Sequence, residues 1–445
     1  MKELFGNKWF KFGSRALVYL LWVIWLGNYW WLLGLPVIFD IFITKKVKWA
    51  FWKKNYAPGE KHNVILDWVD AIIFAVLVVV PLNIFIIQAF RIPSSSMEST
   101  LMTGDYLFVS KLAYGPKLPS RPLSLPLVHN TVFGHKSYSD LIKKPYKRLA
   151  GFGDVERGDK VVFNFPHGDT VLAGAPGDDY YTHVRFNGKE YTEKMFGPVI
   201  TRPVDKADNY VKRCVAVAGD TLSIVNGKVI VNGVPEEQYP GLQMTYRVVT
   251  TGSAINPKIL EQAGVQPADA WFDASIPGYS AIPMTAEAAE AISEVANVKE
   301  CRMNIDTYPA AFPEGPLMIF PFDSSYLWTR DNYGPLYIPA KGATVELTLE
   351  NLPVYRRIIS VYEGHSLEVK DGSIIIDGEP ATSYTFGMDY YFMLGDNRHN
   401  SLDSRYWGFV PEDHIVGKPR IVWFSKDLNK PFPRNIRWNR IFKFV

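Results

Sequence analysis

The stretch Leu222-Ser-Ile-Val-Asn226-Gly227-Lys-Val-Ile-Val-Asn232-Gly233 places two runs of apolar residues on either side of an Asn-Gly pair. Asn-Gly at this position favours a type I′ turn, so the stretch predicts an antiparallel β-hairpin. Similar short runs of Val, Ile, Tyr and Phe, separated by Gly, Asn and Asp, recur through residues 91–445. We therefore predict a mainly β fold with antiparallel sheets for this part of the chain.

Two segments interrupt the β pattern. Residues 283–300 begin with Pro-Met-Thr-Ala-Glu-Ala-Ala-Glu-Ala-Ile and predict a helix that is capped by Thr285. Residues 116–150 are rich in proline and basic side chains, a composition that predicts an irregular surface excursion.

Two uncharged apolar segments precede the β region and predict two transmembrane α-helices. Residues 16–39 and 71–90 contain no charged side chain, and about 20 apolar residues are enough to cross a bilayer. A cleaved secretory signal is the alternative for the first segment. Its length and the second span that follows it argue against that alternative.

The loop between the two spans is basic, since it carries six lysines against Glu60: Lys45, Lys46, Lys48, Lys53, Lys54 and Lys61. Short basic loops stay in the cytoplasm, so the N-terminus and the β region are both expected on the outer side. The N-terminal tail is basic as well, with Lys2, Lys8, Lys11 and Arg15. If residues 16–43 formed a tight hairpin instead of one span, the N-terminus would be cytoplasmic and the β region would remain outside.

Composition excludes several classes of protein. The net charge of +3 over 445 residues does not indicate nucleic-acid binding. No zinc-type spacing of Cys and His and no HExxH motif occur, so neither a metal nor another cofactor is expected. Cys214 and Cys301 are too few for a disulfide framework, and one bridge between them is disfavoured because Cys214 lies in a strand-like apolar run.

The sequence also repeats a pattern. Residues 210–219 align without gaps on residues 355–364, and the match continues from Gly227, Gly233 and Pro235 to Gly372, Gly378 and Pro380. Two interpretations stay open: a duplicated β unit, or two similar hairpins that need the same turn glycines. In either case Arg357 stands where the first copy has Lys212, and arginine cannot supply a base because it stays protonated.

Four polar stretches adjoin strand-like runs. They are Phe90-Arg-Ile-Pro93-Ser94-Ser95-Ser96-Met97-Glu98-Ser99-Thr100-Leu101, Arg157-Gly158-Asp159-Lys-Val161-Val-Phe163, Tyr210-Val211-Lys212-Arg213-Cys214-Val215 and Gly395-Asp396-Asn397-Arg398-His399-Asn400-Ser401-Leu402-Asp403-Ser404-Arg405. Strand alternation puts Lys212 on the face of the small apolar residues Cys214 and Ala216, with Arg213 pointing the other way. Such surroundings favour an uncharged lysine, which can activate a serine hydroxyl.

These four stretches resemble, in order and in position after the spans, the sequence boxes of the type I signal peptidases. The resemblance covers the second span and residues 90–115, 156–166, 209–240 and 390–425, and it is most specific in the last box. It implies a membrane-bound serine endopeptidase with a Ser/Lys dyad on a mostly β catalytic domain. Such an enzyme removes signal peptides from exported precursor proteins, cleaving after small residues on the outer face of the cytoplasmic membrane.

By position, the resemblance makes Ser96 the nucleophile and Lys212 the general base. Ser94 is the implied hydroxyl of the oxyanion hole, and Ser401 the implied hydroxyl that orients the lysine. The implied supporting residues are an ion pair, Asp403 and Arg405, with Asp396 and Arg398 shaping the loop. Apolar side chains expected to line shallow substrate pockets are those of Phe90, Ile92, Met97 and Val211.

Three positions depart from the family pattern: Ser95 stands where glycine is common, Ser99 where proline is common and Ala218 where proline is common. They put the fine geometry of the site in doubt. The expected partners are secretory precursors and membrane lipid, with the chain acting as a monomer. The predicted organisation is a tail 1–15, a first span 16–43, a basic loop 44–66, a second span 67–90, catalytic core 91–240 and 391–445, an insertion 241–350 and a possible repeat 351–390.

Three alternative functions are compatible with parts of this sequence. An inactive, membrane-anchored binding protein that keeps the boxes is the main alternative. A penicillin-binding protein or β-lactamase would need lysine three residues after the serine, and that position is Ser99. A non-catalytic two-span envelope protein would leave the polar cluster at 395–405 unexplained.

Overall fold

The computed structural model describes residues 7–49, 63–237, 239–265, 270–272, 276, 278–307 and 318–445. Lys53, Lys54, Glu60 and Lys61 of the predicted basic loop lie outside the described residues. The chain divides into two compact units, Met1–Ile87 with Gly115–Phe152 and Gln88–Tyr114 with Gly153–Val445. The first unit contains the long apolar helices, and the second contains most of the strands.

The α-helices of the described residues are α1 Lys8–Leu26, α2 Leu35–Phe39, α3 Val64–Phe74, α4 Val80–Phe85, α5 Tyr180–Asn187, α6 Lys189–Phe196, α7 Pro257–Gln262, α8 Ala286–Ser293, α9 Leu352–Arg357 and α10 Ser404–Trp407. Short 3₁₀ turns occupy Tyr29–Gly34, Ser95–Met97, Val204–Lys206, Glu412–His414 and Trp438–Arg440. π-Helical turns occupy Asp40–Thr44, Ala75–Val79 and Ile358–Tyr362.

The strands are β1 Ile87–Arg91, β2 Asp105–Ser110, β3 Thr131–Val132, β4 His135–Lys136, β5 Lys160–Asn164, β6 Val171–Leu172, β7 Val199–Ile200, β8 Asn209–Ala216, β9 Thr221–Val225, β10 Lys228–Val231, β11 Val234–Pro235, β12 Met244–Thr250, β13 Trp271–Phe272, β14 Tyr279–Met284, β15 Val298–Met303, β16 Tyr333–Tyr337, β17 Thr344–Glu346, β18 Leu367–Lys370, β19 Ser373–Ile376, β20 Glu379–Pro380, β21 Ser383–Thr385, β22 Tyr390–Leu394, β23 Val410–Pro411, β24 Ile415–Ser425 and β25 Lys443–Phe444.

The largest sheet of the described residues runs β1-β2-β24-β5-β8-β22-β23, with β25 paired to β24. The registers of β2, β5, β8, β22 and β24 with their neighbours are antiparallel. The predicted hairpin is formed by β9 and β10, where Val225 faces Lys228. Asn226 and Gly227 both have positive φ, as a type I′ turn requires. The prediction of a mainly β fold with antiparallel sheets is confirmed.

The sheet is covered on both faces. Val161 and Phe163 belong to one buried hydrophobic cluster, and Val162 belongs to another. Successive side chains of a strand point to opposite faces, so apolar groups cover both sides of β5. The segment 243–303 has its own core, in which α7 and α8 pack against the sheet β13-β14-β12-β15. Burial on both faces keeps the centre of the large sheet dry.

The segment predicted as a single span, residues 16–43, is two antiparallel helical arms. Helix α1 ends where Gly27 takes a left-handed conformation (φ 64°), and Asn28 caps the turn that follows. The second arm, Tyr29–Thr44, returns beside α1: Tyr19 donates a hydrogen bond of 2.5 Å to the carbonyl of Trp31. Residues 16–43 therefore form the tight hairpin and not a single span.

Two helical stretches in the described residues are long and apolar enough to cross a membrane, Lys8–Leu26 and Val64–Phe85. The sequence predicts that the second extends to residue 90, but it ends at Phe85. Residues 87–90 belong instead to β1, because β1 is held as the neighbour of β2 in the large sheet. The aromatic ring of Phe85 lies 6.0 Å from Trp22 and 5.9 Å from Trp25, so the C-terminal ends of α1 and α4 are adjacent.

The internal repeat is only a repeat of hairpins. The turn Asp371-Gly372 between β18 and β19 has positive φ at both residues, like Asn226-Gly227. Residues 352–362, however, are helical, whereas the aligned residues of the first copy form β8. Val354, Tyr355, Ile358 and Ile359 are buried at a helical spacing, and Pro353 starts the helix. A duplicated β unit is therefore wrong for this segment.

The predicted helix in residues 283–300 and the two cysteines are both found in the second unit. Helix α8 begins after Thr285, whose side chain accepts a hydrogen bond from the N–H of Ala288, as predicted. The helix is shorter than the predicted segment, because residues from Val298 onward form β15. Cys214 and Cys301 are both free thiols.

Candidate active site

The candidate base lies at the centre of the large sheet. Lys212 on β8 faces Val161 of β5, and its side chain is 2% exposed. Cys214 and Ala216, two and four residues further along the same strand, are fully buried. Alternation therefore placed the lysine correctly among small apolar neighbours.

The candidate nucleophile lies in the 3₁₀ turn Ser95–Met97. Met97 is fully buried and anchors the turn in the apolar cluster below it. The carbonyl of Ser96 accepts a hydrogen bond from the N–H of Asn397 at 3.1 Å. In this arrangement Lys212 Nζ lies 2.5 Å from Ser96 Oγ, so the two are hydrogen-bonded.

Burial lowers the pKa of Lys212 from 10.5 to about 8. Asp403 and Asp396 act in the opposite direction, whereas the positive charge of Arg405 lowers the pKa further. The cation that acts on Lys212 is thus Arg405 and not its neighbour in sequence, Arg213. At pH 7 a group of pKa 8 is neutral in about one molecule in ten, against roughly one in three thousand for an ordinary lysine.

The two remaining serines of the expected site differ in their contacts. Ser94 Oγ lies 3.4 Å from Ser96 Oγ, which puts it beside any atom that Ser96 attacks. Ser401 is buried, but its Oγ has no hydrogen-bond partner among the described residues, so the expected bond to Lys212 is not formed. A Cβ on Gly395 would come within 2.2 Å of Ser401 Oγ and 2.6 Å of the Ser96 carbonyl oxygen. Only glycine allows this close approach.

The loop 395–405 is held by buried charges. Asp403 accepts two hydrogen bonds from the Arg405 guanidinium, at 2.9 and 2.7 Å, and one from the N–H of Gly395 at 3.1 Å. Arg405 also donates to the carbonyls of Arg398 and Arg330. This pair fixes the start and the end of the loop that contacts Ser96.

A second buried ion pair joins the loop to β8. Arg213 donates to both carboxylate oxygens of Asp396, at 2.7 and 2.6 Å, and its guanidinium lies 4.0 Å from the ring centroid of Tyr239. Arg213 points away from Lys212 as predicted for a strand, but it is buried there rather than solvated. Arg398 is also buried, and burial lowers its pKa, with a further lowering by Arg405.

The four residues expected to line the substrate pocket belong to one hydrophobic cluster. Ile92 and Met97 are buried in it, so they lie beneath the surface instead of lining a pocket. Phe90 and Val211 are partly exposed at its edge. The apolar surface beside the dyad is therefore shallow.

Two contacts at the site are made by residues to which the sequence analysis assigned no role. Asn400 donates to Ser95 Oγ at 2.9 Å, and Gln243 donates to Ser99 Oγ at 2.9 Å. Gln243 lies near the start of the segment expected to be an insertion, residues 241–350, yet its backbone also pairs with Asn397 of the loop. The polarity of Asn400 within the last box was visible, whereas nothing near Gln243 pointed to the site.

A further link comes from the same segment. His399 Nε2 lies 2.8 Å from Asp331 Oδ1, and His399 Nδ1 accepts a hydrogen bond from the N–H of Thr245. Both side chains are almost completely buried. In the part of the chain that the structure describes, no group of three or more His, Cys, Asp or Glu residues could hold a metal ion.

Known proteins resemble this chain over the same regions. A family model described as "Signal peptidase, peptidase S26" matches residues 65–263 and 385–424, which include β8, the serine turn and the loop. Signal peptidase I of Haemophilus influenzae is 26% identical over 379 residues, 84% of this chain and 74% of the relative. Signal peptidase I of Helicobacter pylori J99 is 25% identical over 395 residues, 85% of this chain and 91% of the relative. A short region is closer: signal peptidase I of Buchnera aphidicola from Acyrthosiphon pisum is 64% identical over 52 residues.

Proposed function

The chain belongs to the signal peptidase family, peptidase S26, and from that premise we propose that Ser96 is its nucleophile and Lys212 its general base. The enzyme is a membrane-anchored serine peptidase that removes signal peptides. The observation that carries the residue assignment is the 2.5 Å contact between Lys212 Nζ and Ser96 Oγ. The lowered pKa of this lysine adds the required protonation state.

The geometry supports a two-step mechanism. Neutral Lys212 takes the proton of Ser96 Oγ while the oxygen attacks the carbonyl carbon of the scissile peptide bond. The ammonium then gives that proton to the leaving amine, and the acyl-enzyme remains on Ser96. Lys212, neutral again, takes a proton from water, whose oxygen attacks the carbonyl carbon of the ester. The ammonium then returns that proton to Ser96 Oγ as the ester bond breaks, which releases the signal peptide and restores the enzyme. No other titrating group is required, as in other Ser/Lys enzymes.

Ser94 is proposed as an oxyanion donor. Its hydroxyl lies 3.4 Å from Ser96 Oγ, on the exposed side of the turn. A hydroxyl donor to the developing oxyanion stabilises the transition state by about 3 kcal/mol. We propose that the backbone N–H of Ser96 supplies the second donor.

We propose that cleavage follows small residues and that the substrate binds as an added strand. The apolar surface at Phe90 and Val211 is shallow because Ile92 and Met97 are withdrawn into the core. Strand β1, which carries Phe90, is an edge strand of the large sheet. Edge strands accept extended peptides through backbone hydrogen bonds.

We also propose that the N-terminus is cytoplasmic and the catalytic unit lies on the outer side of the membrane, a multi-pass arrangement. The hairpin returns the chain to its starting side, so the basic tail and the basic residues from Lys45 onward share one side. Basic segments favour the cytoplasm. The C-terminal ends of α1 and α4 then share the opposite side, which agrees with the ring contacts of Phe85.

The test is incubation of the full-length purified enzyme with a secretory precursor, followed by identification of the new N-terminus. Wild type should cleave after a small residue, and Ser96→Ala and Lys212→Ala should not. Lys111→Met is the matched control, because burial also lowers the pKa of Lys111 to about 8 although Lys111 does not belong to the dyad. Full cleavage by Lys212→Ala would refute the base assignment, and an intact precursor with all variants would favour the inactive binding protein.

A further inference from the structure

The segment Gly115–Phe152 is attached to the end of helix α1. Lys147 Nζ donates to the carbonyl of Leu26 at 3.3 Å, and Trp25 Nε1 donates to the carbonyl of Ala150 at 2.9 Å. Both contacts lie within the first unit. They tie the segment to the terminal residues of a helix long and apolar enough to cross a bilayer. The segment therefore lies at the level where that helix would leave the membrane.

The segment is strongly basic. One acid, Asp140, stands against seven cationic side chains: Lys117, Arg121, Lys136, Lys143, Lys144, Lys147 and Arg148. Asp140 is already bound by Arg121 and Lys136. Positive charge of this density close to a membrane attracts anionic headgroups.

The same segment exposes large apolar side chains to water, which is unfavourable for a soluble surface. Phe133 occupies the first position of the two-residue turn between β3 and β4, with φ 47° and a side chain that is 97% exposed. Positive φ at this position favours Asn, Asp or Gly. The comparable turns in the described residues have Asn or Asp there, namely Asn226, Asn232, Asp371 and Asp377. A phenylalanine is unfavourable there for two reasons: its backbone is in the left-handed region, and its apolar ring is exposed to water.

A second pair of features repeats the combination of apolar and basic side chains. Leu141 is 86% exposed and Ile142 is also exposed, and they are followed directly by the exposed Lys143 and Lys144. An apolar group flanked by lysines suits the boundary between acyl chains and headgroups. A soluble partner would not explain why the segment is fastened to the end of a membrane helix.

We propose that residues 115–152 form an interfacial arm that docks on an anionic phospholipid surface, with Phe133 and Leu141 inserted and Lys143 and Lys144 on the headgroups. The arm holds the exit of α1 at a constant depth. This inference does not require the peptidase chemistry, and it concerns residues outside the dyad and its loop.

The experiment uses the full chain in proteoliposomes, with an environment-sensitive dye on a cysteine introduced as Phe133→Cys in a Cys301→Ser background. Quenching by nitroxide lipids is compared between phosphatidylcholine alone and mixtures with phosphatidylglycerol. Asp371→Cys is the matched control, since it occupies the same position of a turn with the same conformation. We expect strong quenching at position 133 with phosphatidylglycerol, and little at position 371.

Charge is tested by Lys143→Gln with Lys144→Gln in the labelled chain. Each lysine near an anionic surface contributes about fivefold, so the ratio of docked to undocked arm should fall roughly 25-fold. Unchanged precursor cleavage in detergent shows that the variant is folded. Equal quenching in phosphatidylcholine alone, or no quenching in either lipid, would overturn the proposal. Quenching of the dye at position 133 that develops only when precursor is added would also overturn the proposal, because the arm would then bind substrate and not lipid.

Discussion

Replacing Lys212 by Met should destroy activity and stabilise the protein. Burial moves the pKa of Lys212 from 10.5 to about 8 in the folded chain. That difference means that burial of the protonated amine lowers the free energy of unfolding by about 3 kcal/mol at neutral pH. Methionine has a similar length and no charge, but it loses the hydrogen bond to Ser96 Oγ, worth roughly 1 kcal/mol. The expected net gain at pH 7 is about 2 kcal/mol.

The sign of the pH dependence follows from proton counts. Between pH 8 and 10.5 the unfolded chain holds the lysine proton and the folded chain has lost it, so wild-type stability rises with pH across this window. Below pH 8 both states are protonated and the cost is constant. The advantage of the methionine variant should therefore be largest below pH 8 and should vanish near pH 9.5, because about 1.4 kcal/mol is lost per pH unit above pH 8. Near pH 10.5 the variant should be slightly less stable than wild type, since it lacks the hydrogen bond.

The measurement is thermal unfolding of both full-length chains in the same detergent from pH 6.5 to 10, beside cleavage of a precursor. Wild-type cleavage should rise tenfold per pH unit up to about 8 and then level off, because the neutral amine is the active form. Lys111→Met should leave that midpoint unchanged. A methionine variant less stable than wild type at pH 7, or a stability difference that ignores pH, would refute the account of Lys212.

Three other predictions concern the surroundings of the dyad. Ser94→Ala should lower kcat about a hundredfold with little change in KM, and Ser94→Thr should restore part of it; equal losses in both would argue against a hydroxyl donor. Arg213→Met and Asp396→Asn should each destabilise by roughly 3–5 kcal/mol and the double variant by less than their sum, as measured by denaturant unfolding; strict additivity would contradict the buried pair. His399→Ala leaves Asp331 Oδ1 buried without the imidazole, although Asp331 Oδ2 still accepts from the N–H of Asp306. The free energy of unfolding should therefore fall by about 1–3 kcal/mol, and kcat should fall more than KM rises; an unchanged kcat would mean that this link does not position the loop.

The features that sequence predicted were local ones. The Asn226-Gly227 hairpin formed because the turn residues and the apolar alternation act within ten residues of one another. Alternation likewise sufficed to place Lys212 beside Cys214. The last polar box could be recognised as part of a site, since so dense a cluster of charges behind a strand needs mutual pairing, as Asp403 and Arg405 show.

Where prediction failed, long-range packing decided the outcome. Residues 355–362 resemble β8 in composition, but burial of Ile358 and Ile359 against a distant cluster makes them helical. The site depends on contacts between residues far apart in the chain: Arg213 with Asp396, and Gln243 with Ser99. No local pattern encodes such contacts.

From sequence alone came the β-rich domain and the two apolar segments, because periodicity and turn chemistry operate over a few residues. The serine and the lysine proposed as the catalytic pair were indicated instead by the resemblance of the polar stretches to the signal peptidases. Tertiary structure decided that the first apolar segment turns back at Gly27 and that a buried arginine belongs to Asp396. It also brought the amine and the hydroxyl, 116 positions apart, to 2.5 Å. Residues so far apart in sequence come together only when the sheet is assembled. The assembled sheet also excludes the water that would otherwise keep the lysine charged.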